Sequence, residues 1–556
     1  MGYLNKKKEV KEDRLMKTTH KNFMDGDSFD INNPLLRLKI VAASCFFGEP
    51  QYYKSDEKSK KIKRRKIINK SRFDYFDELI KVLSPIDKSD FKNLSPAETM
   101  ERCIDEALTY NPEETLRIAS ELRNIDYIRV TPQVILVMAA NRNDLKGSEL
   151  IRKYAKEIIK RGDEPATGLA YQLSKYGKPI PNSLKRAWSD FLKSSNEYSL
   201  AKYRMESREV KTIDVIRLSG AYNDKTIKLL NGTLKLNTDD RETWESIRSS
   251  GGSWEKCIDV MGHMALLRNV KNLIENNISH KLWLDKLIET APEGKQMPFR
   301  YYAAYRMVEN IASPIILDGI EECLMLSLPN LPKLSGKNLI LVDNSGSAEN
   351  NISMYGTTQI RHIGNLMGVI TGMVSDEGIV GVFGDRLTLK PIRKKSSVFD
   401  QLKDVNKIGD SIGSATENGV WIALKNAIEK KEHWDNIFIY SDMQAGHGGL
   451  YGINPDEYEA YLWRGTVKNI HVPKLINAYR NKVNSKVNVF LCQIAGYEDT
   501  IMPENYERTY ILGGWSDQII RYASKVNSLY EQTKNKKNIK VKFVESEYEE
   551  ECGNNN

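Results

Sequence analysis

Residues Asn338 to Ser347 read Asn-Leu-Ile-Leu-Val-Asp-Asn-Ser-Gly-Ser. Leu339, Ile340, Leu341 and Val342 form an unbroken apolar run, the pattern of a short strand buried on both faces of a parallel sheet. The run stops at Asp343, and small polar residues follow. Ligands of open α/β sheets bind at the carboxyl ends of the strands, so these side chains stand where chemistry is expected. Asp343, Ser345 and Ser347 fall at alternate positions, and their oxygens suit one hard cation such as magnesium. The same residues also suit an ordinary strand-to-helix turn in which Ser and Asp cap the next helix. The stretch alone does not choose between the two.

Downstream, strands and helices alternate. Strands are expected at Leu339–Val342, Ile379–Phe383, Ile437–Tyr440, Val487–Ile494 and Thr509–Leu512, and helices at Thr357–Val374, Val398–Val405, Asn418–Glu429, Pro473–Lys482 and Ser516–Tyr530. This order predicts a Rossmann-like parallel sheet with helices on both faces, over residues 336–546. Two further stretches complete a site around Asp343. A loop from Gly409 opens a helix and offers the Thr416 hydroxyl, and the strand ending at Tyr440 runs into Ser441-Asp442. Asp343, Ser345, Ser347, Thr416 and Asp442 are the expected ligands of one Mg2+ or other divalent cation. Gly446, Gly448, Gly449 and Gly452 mark a flexible loop before the Pro473 helix.

Upstream the pattern is different. From about Phe73 to Ser327, segments carry apolar residues at three- and four-residue spacing between short polar turns. Ala97–Tyr110, Pro112–Arg123, Thr131–Ala140, Glu149–Lys160 and Lys281–Glu289 read as helices, with Asn111 and Thr131 as caps before first-turn prolines. An apolar helical segment also runs from Pro34 to Phe47. Many successive helices without strands predict stacked helical pairs, an α-solenoid over residues 34–330, or else a large irregular bundle. Leu331 to Gly336 is the expected linker, and residues 1–33 and 547–556 are expected to be polar tails.

The charge is unevenly placed. Residues 1–335 carry 57 Lys and Arg against 47 Asp and Glu, a net of +10, while the rest carry 26 against 27, a net of −1. The excess therefore belongs to the helical half and points to a polyanion partner. Residues 54–72 hold ten Lys or Arg and two acids. This basic insertion suits a nucleic-acid contact, a localisation signal or a solvated loop. At 556 residues the chain exceeds a single core, and its hydrophobic content of 40% is enough for real ones. No apolar stretch reaches membrane-spanning length, and no signal-peptide core opens the sequence. The six cysteines are far apart, which excludes a disulfide frame or zinc motif and predicts reduced thiols in a cytoplasmic protein.

The set around Asp343 resembles the metal-ion-dependent adhesion site of von Willebrand factor A domains, whose Asp-x-Ser-x-Ser motif is intact as Asp343-Asn344-Ser345-Gly346-Ser347. Upstream, Met264-Ala-Leu-Leu-Arg-Asn269 resembles a fingerprint of the TROVE module of Ro autoantigen proteins. Leu36-Arg37, Phe47-Gly48-Glu49, Tyr52-Tyr53 and Met297-Pro-Phe-Arg300 are similar to other parts of that family's pattern. The resemblance covers nearly the whole chain and implies a ring of HEAT-like helical repeats closed against an A domain, without enzyme activity. It further implies a monomeric ribonucleoprotein. Small noncoding RNAs of the Y type would bind the outside, and single-stranded ends of structured or misfolded RNA would enter the hole. In that family the cation keeps a position open for an acidic side chain of a partner protein, such as an exoribonuclease. Lys202-Tyr203-Arg204, Lys211 and Arg217 are similar to its RNA-contacting region. Glu206 and Gly220 depart from it, standing where the family usually has an Arg and a His.

Lys and Arg on one face would neutralise phosphates, and Tyr203 would stack on unpaired bases. Lys185, Arg186 and Arg268 join that expected RNA surface. Lys185-Arg186 and Lys202 to Arg204 are also read as ordinary solvated helix faces, and Arg268 as a structural residue between helices. A metal-dependent protein-interaction scaffold without RNA is the alternative function, and a metal-dependent hydrolase a third.

Overall fold

The computed structural model describes residues 20–21, 27–45, 47, 96–205, 208–234, 243–328, 331–353, 358–384, 386–413, 418–444, 472–504 and 506–534. The basic insertion, the glycine loop, Gly48-Glu49, Tyr52-Tyr53, Glu206, residues 1–19 and the expected tail 547–556 lie outside these residues.

From Pro34–Ser44 to Pro314–Ser327 the chain is helical, with no strand among the described residues of that span. The helix Pro112–Asn124 shows why. Asn111 accepts the Glu114 amide at 3.1 Å, Pro112 occupies the first turn, and Leu116, Ala119 and Leu122 are buried at helical spacing. The next helix, Val130–Ala140, is buried from Thr131 to Ala139. Such an all-round apolar helix needs neighbours on every side. It has them, because each helix packs on others one and two places along. Pro112–Asn124 meets both Val130–Ala140 and Leu150–Ile158. Val130–Ala140 meets Glu164–Lys175, and Leu150–Ile158 meets Asn182–Ser194. Each of these helices thus packs on near neighbours along the chain.

Two departures from the expected helices bear on capping and packing. The helix begins at Val130, with Arg129 in the cap position, so Thr131 is a buried helical residue and caps nothing. Lys281–Glu289 is broken into a 3-10 turn, His280–Leu282, and a helix, Leu284–Glu289. Between them lies the fully buried Trp283, which gives the break its anchor.

The second half is built on a six-stranded sheet. We number the strands β1 (His20–Lys21), β2 (Asp27–Asp30), β3 (Leu334–Asp343), β4 (Ser375–Phe383), β5 (Leu387–Pro391), β6 (Asn436–Ser441), β7 (Asn488–Gln493), β8 (Asp499–Thr500) and β9 (Thr509–Gly513). The sheet order is β5-β4-β3-β6-β7-β9, parallel except for the edge strand β5. Alternate residues of the central strands face opposite ways, as the pleat requires. Leu339, Leu341, Ile437 and Ile439 pack with Leu424, Leu475 and Ile476 in one core. Ile340, Val342, Phe438 and Tyr440 belong to another, which is continuous with the helical half. The expected linker is partly strand, since Leu334 pairs with Ser375 before a bulge. At that bulge Gly336 has φ 77°, and a side chain there would strike Asp435.

Both ends of the helical run meet the α/β half. At the start, β2 pairs with β8, so residues 27–30 are a strand and no tail. The Asn32 amide donates to the Glu504 carboxylate at 2.8 Å. Helix Pro34–Ser44 crosses β9 so closely that a β-carbon on Gly513 would lie 2.7 Å from the Ile40 backbone. Arg102 pairs with both Glu106 and Glu498. At the far end, Glu321 accepts from the Ser397 hydroxyl and from the Val398 amide, at 2.6 and 2.7 Å, capping helix Val398–Asp410 from outside. Tyr305 and Phe399 pack with ring centroids 4.4 Å apart.

Candidate metal centre and nucleic-acid interface

The sheet order reverses direction at β3, which lies between β4 and β6, and the crevice at such a switch point is where doubly wound sheets bind ligands. Asp343 ends β3 and Asp442 follows β6, so the two carboxylates flank this crevice. Ser441 donates to Oδ2 of Asp343 at 2.5 Å, while Oδ1 of Asp343 accepts the Ser345 amide at 3.0 Å. The hydroxyls of Ser345 and Ser347 are 3.1 Å apart. Oδ1 of Asp442 accepts the Gln444 amide at 3.0 Å, through a turn in which Met443 adopts φ 60°. Non-glycine residues seldom hold that left-handed conformation, and they concentrate at functional loops.

Asp343, Ser345 and Asp442 are each no more than 1% exposed. Burial pushes the Asp442 carboxyl up to about 7, the Asp343 charge adds to it, and the Ser347 hydroxyl and Gln444 amide oppose it. Oδ2 of Asp442 has no hydrogen-bond partner among the described residues. Two buried acids side by side, one with an orphaned oxygen, form an arrangement that a divalent cation would neutralise. The residues present therefore fit such an ion. No group of three or more His, Cys, Asp or Glu side chains suited to a metal occurs among the described residues. The centre thus depends on two carboxylates and their hydroxyl neighbours. Thr416 lies outside the described residues.

Sequence reading missed Ser441, although it adjoins Asp442, and the role of Asn344. The Asn344 amide exchanges two 2.8 Å hydrogen bonds with Asn365. Asn365 bonds Asn406 at 2.8 Å, and Asn406 bonds the Tyr302 hydroxyl of the helical half at 2.5 Å. Only the fold brings these four positions together.

The expected RNA residues are spread over several helices. Lys185 and Arg186 lie on Asn182–Ser194, which packs on Thr212–Ser219, the helix of Arg217 with Lys211 just before it. Arg186, Lys202, Arg217 and Arg268 are exposed; Lys185, Tyr203, Arg204 and Lys211 are half-buried. Lys202 sits 5.7 Å and 5.8 Å from the ring centres of Tyr198 and Tyr203. Arg161, unnoticed in the sequence, lies 5.1 Å over the Tyr203 ring, and Gly162 packs so tightly behind it that a β-carbon would collide. Tyr203 is thus held by its own chain. Arg204 donates to the Leu234 carbonyl at 2.7 Å, a structural use. Gly220 ends its helix at φ 68°, which favours glycine there. Arg268 is apart from this group, on His263–Glu275, which packs on Pro298–Val308. Among the described residues, none of Lys185, Arg186, Lys202, Lys211, Arg217 and Arg268 forms an ion pair, while Arg152, Lys228 and Lys271 nearby do.

Five described cysteines are free and buried; Cys552 is outside the described residues. No described helix is long and apolar enough to cross a membrane.

No protein-family model matches the sequence, and no curated protein matches it. A solved structure does. The crystal structure of the Deinococcus radiodurans RO (RSR) protein aligns over 89% of this chain and 99% of that chain, with a TM-score of 0.54 and 11% identity. At that identity the likeness is one of fold, and this chain has the fold of that Ro protein.

Proposed function

We propose that this chain is a Ro-type RNA-binding protein without enzymatic activity. One observation carries the reading: its fold matches a Ro protein across 99% of that protein's length, helical half and α/β half together. On this reading the helical run is a HEAT-like ring and the second half a von Willebrand factor A domain. The positive excess of residues 1–335 supports a polyanionic partner. So do the unpaired cations on neighbouring helices, because free Lys and Arg release counterions when they meet phosphates. The partners proposed are small noncoding RNAs of the Y type and single-stranded ends of structured or misfolded RNA. The protein would act as a monomeric ribonucleoprotein in the cytoplasm.

The A domain's role is to bind. Asp343, Ser345, Ser347 and Asp442, with Thr416, would hold Mg2+, which supplies a Lewis-acidic point for an acidic side chain of a protein partner. Their burial keeps that point in a low-dielectric setting where a charge contact is strong. On this reading the crevice carries out no turnover, and the Ser441 hydroxyl that donates to Asp343 serves to position that carboxylate.

Gel shifts with a structured RNA bearing a single-stranded 3′ end test the reading. Retention at low salt that falls steeply as salt rises is expected. No retention at low salt would sink it. Asp343→Ala should retain RNA binding while losing Mg2+.

A further inference from the structure

At the seam where the helical run closes on the α/β half, Arg129 and Arg268, from distant parts of the sequence, lie within electrostatic reach of Arg300. Arg129 sits in the cap position of helix Val130–Ala140, near the start of the run. Arg268 lies on His263–Glu275, and Arg300 in the first turn of Pro298–Val308, near its end. The Trp515-Ser516 dipeptide joins the two regions. Ser516 donates to Asp126 at 3.1 Å, three residues before Arg129. The Phe299 ring, next to Arg300, packs edge-on against Trp515 at 5.7 Å. Arg300 lies 4.9 Å over that same Phe299 ring.

All three side chains reach solvent, and among the described residues none forms an ion pair. Neighbouring arginines do pair, Arg123 with Glu164 and Arg161 with Asp163. The charges that act on Arg300, those of Arg129 and Arg268, are positive. Burial by the surrounding walls, then these charges, holds its guanidinium below the ordinary value. Burial and then Arg161 act on Arg129 in the same direction, with Asp163 and Glu164 opposing. No side chain caps the amide end of Val130–Ala140 and no acid lies in its first turn, so that helix end adds positive potential. Thr131, in that turn, is fully buried, and its hydroxyl has no hydrogen-bond partner among the described residues. Like charges held together in a walled, accessible place are costly unless an anion joins them.

We propose that Arg129, Arg268 and Arg300 form a phosphate-binding clasp that bridges the beginning and the end of the helical run. Guanidinium forks recognise phosphate oxygens bidentately, which favours a phosphate over a monovalent halide. The ligand group is a phosphate oxyanion, supplied either by an RNA backbone or by free phosphate. The RNA source rests on the function proposed above, whereas the site itself does not.

The test uses the full chain, its R129Q/R300Q and R268Q variants, and K430Q as a distant exposed control on the other half. Binding of a fluorescent single-stranded uridine oligonucleotide is measured by anisotropy across a salt series. Melting is measured in parallel, in inorganic phosphate against chloride of equal ionic strength. For the RNA source, R129Q/R300Q should lose about tenfold or more in affinity at low salt, and its log–log salt slope should flatten by about 1.4, two single-strand phosphates. R268Q should lose about half as much slope, and K430Q should change neither quantity. For the free-phosphate source, phosphate should raise the melting temperature of the wild type and of K430Q, and leave R129Q/R300Q unmoved. If the wild type binds no oligonucleotide, the RNA reading fails, and a phosphate-specific shift lost in R129Q/R300Q still supports the clasp. Wild-type oligonucleotide affinity and slope in R129Q/R300Q, together with no variant-sensitive phosphate shift, overturns it.

Discussion

Asp126 illustrates how a single buried group can set the strength of the seam. It is 8% exposed and accepts a hydrogen bond from Ser516 of the α/β half. Burial pushes its carboxyl up from 3.8 to about 6; the Glu121 and Asp517 charges add, and Lys39 and the Ser516 hydroxyl oppose. The folded chain therefore holds this proton more tightly than the unfolded chain does. The group favours folding below its unfolded value, and that contribution is lost as pH rises through about 6. Asp126→Asn keeps an acceptor for Ser516 and carries no charge. Urea unfolding should find it more stable than the wild type by about 1–3 kcal/mol at pH 8, with the difference gone near pH 4. A difference independent of pH would contradict this account. Asp442 follows the same logic with a cation in place of the proton. Asp442→Asn removes a buried like charge beside Asp343, so in a chelator it should melt above the wild type. In Mg2+ the wild type should overtake it, because only the intact pair attracts the ion.

Elements differ in how much of them a sequence can show. The central strands announce themselves, since Leu339–Val342 and Ile437–Tyr440 are apolar on both faces and end in acids. The strands β2, β5 and β8 did not. β2 and β8 are four and two residues long, with Phe29 their one apolar residue, and β5 is an exposed edge whose Leu387, Thr388 and Leu389 alternate weakly. The partners of β2 and β8 lie across the chain, as Phe29 opposite Thr500 does, and no local period encodes that; β5 pairs with β4 just before it. Asp343, Ser345 and Ser347 stand out as one candidate site because their spacing is local, whereas Asp442 reaches them only through the pairing of β3 with β6. Ser441 and Asn344 gain their roles only from neighbours that the sheet supplies. Glu321 is the clearest case of a non-local element signal. Helix Val398–Asp410 has its own cap in Ser397, yet its first amide is taken by a carboxylate from the other half. Glu321→Ala should cost about 1–2 kcal/mol in urea unfolding, the usual range for a lost cap. Glu321→Gln should recover part of it, because the acceptor survives and the charge does not. An unchanged Glu321→Ala would show the contact to be incidental.

Across the whole molecule, the crevice around Asp343 is joined by buried hydrogen bonds to both ends of the helical run. On one side Asn344, Asn365, Asn406 and Tyr302 form a continuous chain. On the other, Gln444, whose amide holds Asp442, donates through its side chain to Asp499 at 2.8 Å, and Asp499 accepts from Ser28 of β2 at 3.0 Å. The links next to the crevice and those to Ser28 are buried, while the two through Asn406 are partly buried, and a half-satisfied buried network is costlier than a complete one. Fixing the two loops of the crevice should therefore stiffen both closures together, although the ends of the run are far apart in sequence. Hydrogen exchange in Mg2+ against a chelator measures this. Slower exchange is expected at residues 299–302 and at residues 27–30 and 498–500, as well as at the crevice itself. Asp343→Ala should abolish all three effects. Asn365→Leu breaks only the first chain, so it should remove the effect at Tyr302 and leave that at Ser28. Protection confined to residues 341–347 and 440–444 would mean that the two networks hold the fold without carrying the ion's influence. Loss at both ends in Asn365→Leu would mean that the influence travels through the shared core instead.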